Sequence, residues 1–127
     1  MSCGVTVPYY SEPAVKISIL PEVDSNPAAA TFVLFNEDHT LGNSLRHLLM
    51  RNPRVVYCGY SAPHPTEEKI HLRIQTEEGY TAVEALQKSL DDLVSVCDHM
   101  LDTFTESVTE FATAIEASEG TADQMQE

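Results

Sequence analysis

Nine apolar residues, Leu86, Leu90, Leu93, Cys97, Met100, Phe104, Val108, Phe111 and Ile115, follow one another at spacings of 4, 3, 4, 3, 4, 4, 3 and 4. That rhythm lays all nine along one side of an α-helix. No glycine or proline interrupts residues 81–119, so a single helix of about 35 residues is expected, spanning about 50 Å at 1.5 Å per residue. The body of a domain built from the rest of the 127-residue chain is shorter than that. The helix should therefore overshoot its own sheet and project. Its far half, with Phe104, Val108, Phe111 and Ile115, then needs a second surface. Each such side chain gains about 1.5–3 kcal/mol when fully buried, so leaving four in water wastes a large term.

Charge sharpens the picture. The formal net charge is −13, and all seven Lys and Arg lie at or before Lys88. Residues 89–127 hold ten Asp or Glu and no Lys or Arg. Such a segment repels phosphate, which argues against direct nucleic-acid binding. No apolar run is long enough for a bilayer, so no membrane span is expected. No basic patch precedes an apolar stretch in the first ten residues, so no signal peptide is expected either. The three cysteines, Cys3, Cys58 and Cys97, are odd in number and far apart, which suits free thiols in a reducing compartment. Along the long helix Asp98, Asp102, Glu106 and Glu110 recur every four residues. That row is either a solvated face or the complement of a basic groove.

Upstream, residues 1–14 read as an irregular lead-in. Val15, Ile17 and Ile19 alternate in a short strand over 15–20, and 31–35 is apolar on both faces, as in a strand buried on both sides. A helix follows, capped by Asp38 or Thr40, with Leu41, Leu45, Leu48 and Leu49 on one stripe and Asn52-Pro53 as its stop. Residues 55–60 form a third strand with a bulge expected at Gly59. Residues 69–76 alternate cleanly, Ile70, Leu72 and Ile74 against Lys69, His71, Arg73 and Gln75. Gly79 breaks the pattern, and Thr81 with Glu84 three residues on is a capping box. The order strand, strand, helix, strand, strand, long helix predicts an α+β two-layer ββαββα domain over 15–117, a four-stranded sheet with two helices on one face. Residues 118–127 read as an acidic disordered tail.

The first helix contains Gly42. A glycine inside a helix costs about 1 kcal/mol against alanine, and the expected reason is the close approach of another backbone. A short apolar helix with such a bare patch is better suited to docking a second helix than to chemistry.

The segment Asn36-Glu37-Asp38-His39-Thr40-Leu41-Gly42-Asn43-Ser44-Leu45-Arg46 resembles the signature of the alpha-like subunits of RNA polymerases. Its His-Thr-Leu-Gly-Asn followed by Leu-Arg is also similar to the matching helix of the bacterial alpha subunit. Tyr57-Cys58-Gly59-Tyr60, His64-Pro65 and Lys69-Ile70-His71-Leu72-Arg73-Ile74-Gln75-Thr76 resemble the smaller eukaryotic alpha-like subunits and archaeal subunit L. The similarity covers roughly residues 15–112. Cys58 ahead of Gly59-Tyr60, and Val96-Cys97-Asp98-His99-Met100-Leu101-Asp102-Thr103-Phe104, resemble the version shared by polymerases I and III. The alternative is the polymerase II version, which usually has alanine before the glycine and lacks the Cys-x-His segment.

The resemblance implies a non-catalytic assembly subunit of DNA-directed RNA polymerases I and III in the nucleus, including the nucleolus. It implies a heterodimer with the larger alpha-like subunit common to both enzymes, forming a platform for their second-largest subunits in transcription of rRNA, tRNA and 5S RNA. The implied interface takes His39, Thr40, Leu41, Gly42, Asn43, Leu45, Leu48 and Leu49 from the first helix, with Gly42 admitting the crossing. From the long helix it takes Cys97, Met100, Leu101, Phe104, Val108 and Phe111. No catalytic residue, cofactor or metal is implied.

Other chemistry reads weakly. His64 and His71 flank Glu67-Glu68 seven residues apart, which fits no common zinc spacing. Cys97 and His99 point to different helix faces, and Cys97 and Cys58 read as small packing residues. His39 is either bonded to Asp38 at the helix entry or an exposed loop histidine. The pairs Glu37-Asp38, Glu67-Glu68, Glu77-Glu78 and Asp91-Asp92 converge on no evident pocket. Arg46, Arg51 and Arg54 either complement the end of the first helix or meet an acidic subunit surface.

Overall fold

The computed structural model describes residues 15–124. The irregular lead-in, with Cys3, and the last three residues of the tail lie outside that range. The elements run β1 Ile17–Ile19, β2 Ala29–Phe35, α1 His39–Arg51, β3 Val55–Ser61, β4 Lys69–Thr76 and α2 Ala82–Gln124. The four strands form one antiparallel sheet in the order β1-β2-β4-β3. This is the expected ββαββα order. No helix among the described residues is long and apolar enough to cross a membrane. The chain divides into two compact units, one up to Leu90 and one from Asp91.

In the first unit, register decides which side chains share a face. Pairing sets Phe32 beside Leu72, Leu34 beside Ile70, Ala30 beside Ile74, and Cys58 and Tyr60 beside Ile74 and Leu72. Ile70, Leu72 and Ile74 are fully buried, and Phe32, Leu34 and Cys58 nearly so. α1 lies against β3 and β4 and adds Leu45 and Leu49, both fully buried. The opening turns of α2 complete the cover with Ala82, Ala85 and Leu86. On the opposite face Lys69, His71, Arg73 and Gln75 stay half-exposed, and Arg73 is held by Glu22 and by the Thr31 hydroxyl.

Local chemistry sets the ends of the helices. The Asp38 carboxylate accepts from the Thr40 N–H at 2.9 Å, so Asp38, not Thr40, is the cap of α1. Asn43 is thereby free of any capping role and accepts instead from Arg46 at 3.0 Å. At the start of α2 the Glu84 N–H donates to Thr81 Oγ1 at 3.1 Å, and Glu84 Oε2 accepts from the Thr81 N–H at 3.0 Å. That is the expected reciprocal capping box. Gly79 just before it has φ +87°, the left-handed region open to glycine.

Three expectations need correction here. The irregularity in β3 falls between Val55 and Tyr57, not at Gly59. Gly59 instead leaves room for the Tyr57 hydroxyl, which would sit 2.7 Å from a Cβ at that position. β1 has three residues, not six. Residues 118–124 are helical, not a disordered tail, because α2 continues through Gly120 to Gln124. One glycine among good helix formers costs only about 1 kcal/mol, and the Thr121 hydroxyl donates back to the Ala117 carbonyl at 2.8 Å.

Candidate partner interface

α1 is amphipathic, and its apolar stripe is divided between inside and outside. Leu45, Leu49 and Gly42 are buried within the chain, while Leu41 and Leu48 are half-buried. His39, Thr40, Asn43, Arg46, His47, Met50 and Arg51 face solvent. Leu45, Leu49 and Gly42 therefore offer no surface to a partner, contrary to the expected interface. They serve this chain's own core.

Gly42 explains itself within the chain. A Cβ there would lie 2.6 Å and 2.9 Å from two ring carbons of Tyr60, and 3.1 Å from Ile70 Cδ1. Within the chain, the close approach that the glycine permits is that of the β3 tyrosine ring. The same ring holds His39, whose Nδ1 lies 3.0 Å from the Tyr60 hydroxyl with the rings packed edge to face. His39 thus takes Tyr60 as its partner instead of Asp38. The Thr40 hydrogen bonds, with a smaller contribution from the neighbouring His39, hold the Asp38 carboxyl below the usual range.

The second unit presents the opposite case. Met100 and Leu101 are each 65% exposed, Phe104 is 69% and Phe111 67%. Val108, Ile115 and Cys97 are exposed as well. Cys97 is therefore no core residue, because no described residue covers it. Val94 and Val96 widen the same surface, and the strict 4–3 spacing had passed over them. Met50 on α1 and Val56 and Tyr57 on β3 are further exposed apolar residues outside the expected set. Only three-dimensional neighbours decide which side of a short element is covered.

The polar side of α2 looks after itself. Thr109 and Thr113 donate to the carbonyls of Thr105 and Thr109, four residues back, both at 2.9 Å. Ser95 does the same to Asp91 at 3.1 Å. These hydroxyls are satisfied inside the helix, and Asp98, Asp102, Glu106 and Glu110 are open to water. What the described residues leave uncovered on α2 is its apolar stripe.

Titratable groups elsewhere are explained locally. Burial pushes the Cys58 thiol up to about 11, against a smaller opposing effect of Arg46. Lys69, 2.8 Å away, lowers the exposed Glu67 carboxyl. Arg54 stacks over the Tyr80 ring at 4.1 Å, so it braces the junction after α1. Among the described residues no three His, Cys, Asp or Glu side chains gather as metal ligands.

Against known proteins, residues 29–103 match the RNA polymerase Rpb3/Rpb11 dimerisation domain. A Schizosaccharomyces pombe protein named DNA-directed RNA polymerases I and III subunit RPAC2 is 52% identical over 93 residues, 73% of this chain and 74% of that protein. The Saccharomyces cerevisiae protein of the same name is 49% identical over 94 residues, 73% of this chain and 66% of its own. Among solved structures, DNA-directed RNA polymerase subunit L from Thermoplasma acidophilum shares the fold, with a TM-score of 0.64 over 76% of this chain and 92% of that one, at 14% identity. On the match to the dimerisation domain and the identity to these relatives, the chain belongs to the RNA polymerase Rpb3/Rpb11 dimerisation domain family.

Proposed function

We propose that this chain is the smaller alpha-like subunit of DNA-directed RNA polymerases I and III. It pairs with the larger alpha-like subunit common to the two enzymes, and the pair forms the platform on which their second-largest subunits assemble. It acts in the nucleus, including the nucleolus, in transcription of rRNA, tRNA and 5S RNA, and has no active site of its own. The observation that carries this reading is the uncovered stripe Met100, Leu101, Phe104, Val108 and Phe111 on a chain of a dimerisation family. In the pair this stripe is covered by the partner, together with Leu41, Leu48 and the exposed side of α1. Four or five such side chains supply several kcal/mol on burial, at about 1.5–3 kcal/mol each.

The choice of polymerases I and III over polymerase II rests on the names of the relatives at 49% and 52% identity. The test is purification of the tagged chain from nuclear extract with identification of the bound largest subunits. Recovery of the polymerase I and III subunits with a larger alpha-like chain in one-to-one ratio supports the reading. Recovery of the polymerase II subunit alone assigns the chain to that enzyme, and a lone well-behaved monomer refutes both.

A further inference from the structure

The two borders of the α2 stripe are unlike each other. At about 100° per residue, Cys97 and Ile115 fall on one line along the helix, and the other exposed apolar residues gather to either side of it. About 100° round from that line on one side lie Asp98 and Glu116, with Asp91 and Glu119 on the same side. About 100° round on the other side lie Val96 and Ala114, with Thr103 and Ser107 beside them. One border is acidic and the other uncharged. Glu106 and Glu110 sit toward the back of the helix, and all of these residues are exposed.

Periodicity and charge together choose what can cover such a strip. Spacings of three and four are the rows into which a second helix meshes its own side chains. The stripe starts inside the matched dimerisation domain, residues 29–103, and runs on past its end. Covering it takes water from the carboxylates along its border, which is costly unless opposite charge is supplied. The chain's remaining segments supply none: no Lys or Arg follows Lys88, and residues 1–14 hold Glu12 and no Lys or Arg. A second α2 fails as well. Antiparallel self-pairing sets the acidic border against itself, and parallel self-pairing sets it against the uncharged one. Elsewhere on a second copy, Lys16, Lys69 and Arg73 are already held by Glu37, Glu67 and Glu22.

We propose that the occupant is an amphipathic helix of the larger alpha-like subunit whose apolar seam is bordered by Lys or Arg on one side alone, the side that meets Asp98 and Glu116. This rests on the pairing proposed above and adds the charge pattern that selects the unlike chain over a second copy.

The test titrates the full chain with the larger alpha-like subunit by calorimetry at low and high salt. Asp98→Lys with Glu116→Lys reverses the border, and Glu106→Lys with Glu110→Lys makes the same change of charge at the back. The border variant should lose about tenfold or more in affinity and the back variant about twofold or less. Added salt should weaken the parent and narrow its lead over the border variant. Circular dichroism of the free variants checks that the helix is kept; if the reversal melts it, Asp98→Asn with Glu116→Gln takes its place, with a loss of about threefold expected. Equal affinities for the border and back variants, or pairing indifferent to salt, overturn the proposal and leave the pairing standing. No binding by the parent overturns the pairing and the proposal with it. A free parent whose mass rises with concentration while it excludes the larger subunit assigns the stripe to a second copy. A stripe shielded in the free monomer until residues 1–14 are removed assigns it to the chain's own segment. Either result overturns the proposal.

Discussion

Replacing Gly42 with alanine sets two known effects against each other. Alanine is the better helix former by about 1 kcal/mol, so in an open helix the change would stabilise. Here the new methyl would meet the Tyr60 ring at 2.6 Å and 2.9 Å and Ile70 Cδ1 at 3.1 Å. The contact with the buried Ile70 asks for a shift of only a few tenths of an ångström, so the larger displacement falls on the ring. Its hydroxyl is tied to His39 at 3.0 Å, and that bond is lost with the displacement, at about 0.5–1.5 kcal/mol. Overpacking adds about 1–3 kcal/mol. The net expectation is destabilisation by about 0.5–3.5 kcal/mol. Urea unfolding followed by circular dichroism, at several protein concentrations to separate association from folding, reads this directly. The double variant with Tyr60→Ala supplies the sign test. Without the ring, Gly42→Ala should stabilise by about 1 kcal/mol relative to Tyr60→Ala alone. If Gly42→Ala stabilises with Tyr60 present, the glycine is not there for the ring and the argument fails.

Further outcomes follow from other parts of the chain. Phe104→Ser with Phe111→Ser should weaken pairing with the larger alpha-like subunit by about 2–4 kcal/mol, about 30- to 1,000-fold. The melting of the isolated chain should hardly change, because its own residues cover neither ring; titration calorimetry and a thermal melt check the two halves. Thiol labelling with site mapping should modify Cys97 quickly in the folded chain and leave Cys58 until unfolding. The Cys58 thiol is pushed from 9.0 to about 11 in the folded state, so its contribution to stability is complete below pH 9 and lost as pH rises toward 11. Urea midpoints measured across that window should fall, and a Cys58→Ala chain should lack this component. Thr81→Ala breaks the capping box and should cost about 1 kcal/mol, seen as faster amide exchange in the first turn of α2.

Features with a local cause were legible in the sequence. The alternation from Lys69 to Thr76 gave β4 to the residue. Thr81 and Glu84 announced their capping box, and the unbroken apolar rhythm announced α2. What stayed hidden depended on distant neighbours. The Tyr60 ring reaches Gly42 and His39 across a turn and a strand, so the glycine read as an opening for a second chain when it was packing inside the first. Leu45 and Leu41 share one helical stripe, yet the former is fully buried and the latter only half-buried. No spacing rule decides that. The bulge near Val56 carries no glycine to flag it, and Gly120 marks no break because the helix tolerates it. The exposed apolar residues on α2 were legible for the opposite reason: the helix is too long for its own domain, and the sequence shows that by counting.

Whether the stripe on α2 is bare in the free chain and covered in the pair can be read by hydroxyl-radical footprinting of Met100, Phe104 and Phe111. Strong labelling of all three in the isolated chain, falling steeply once the larger alpha-like subunit is bound, is the predicted result. Weak labelling already present in a monomeric free chain, or labelling unchanged in the complex, would contradict it.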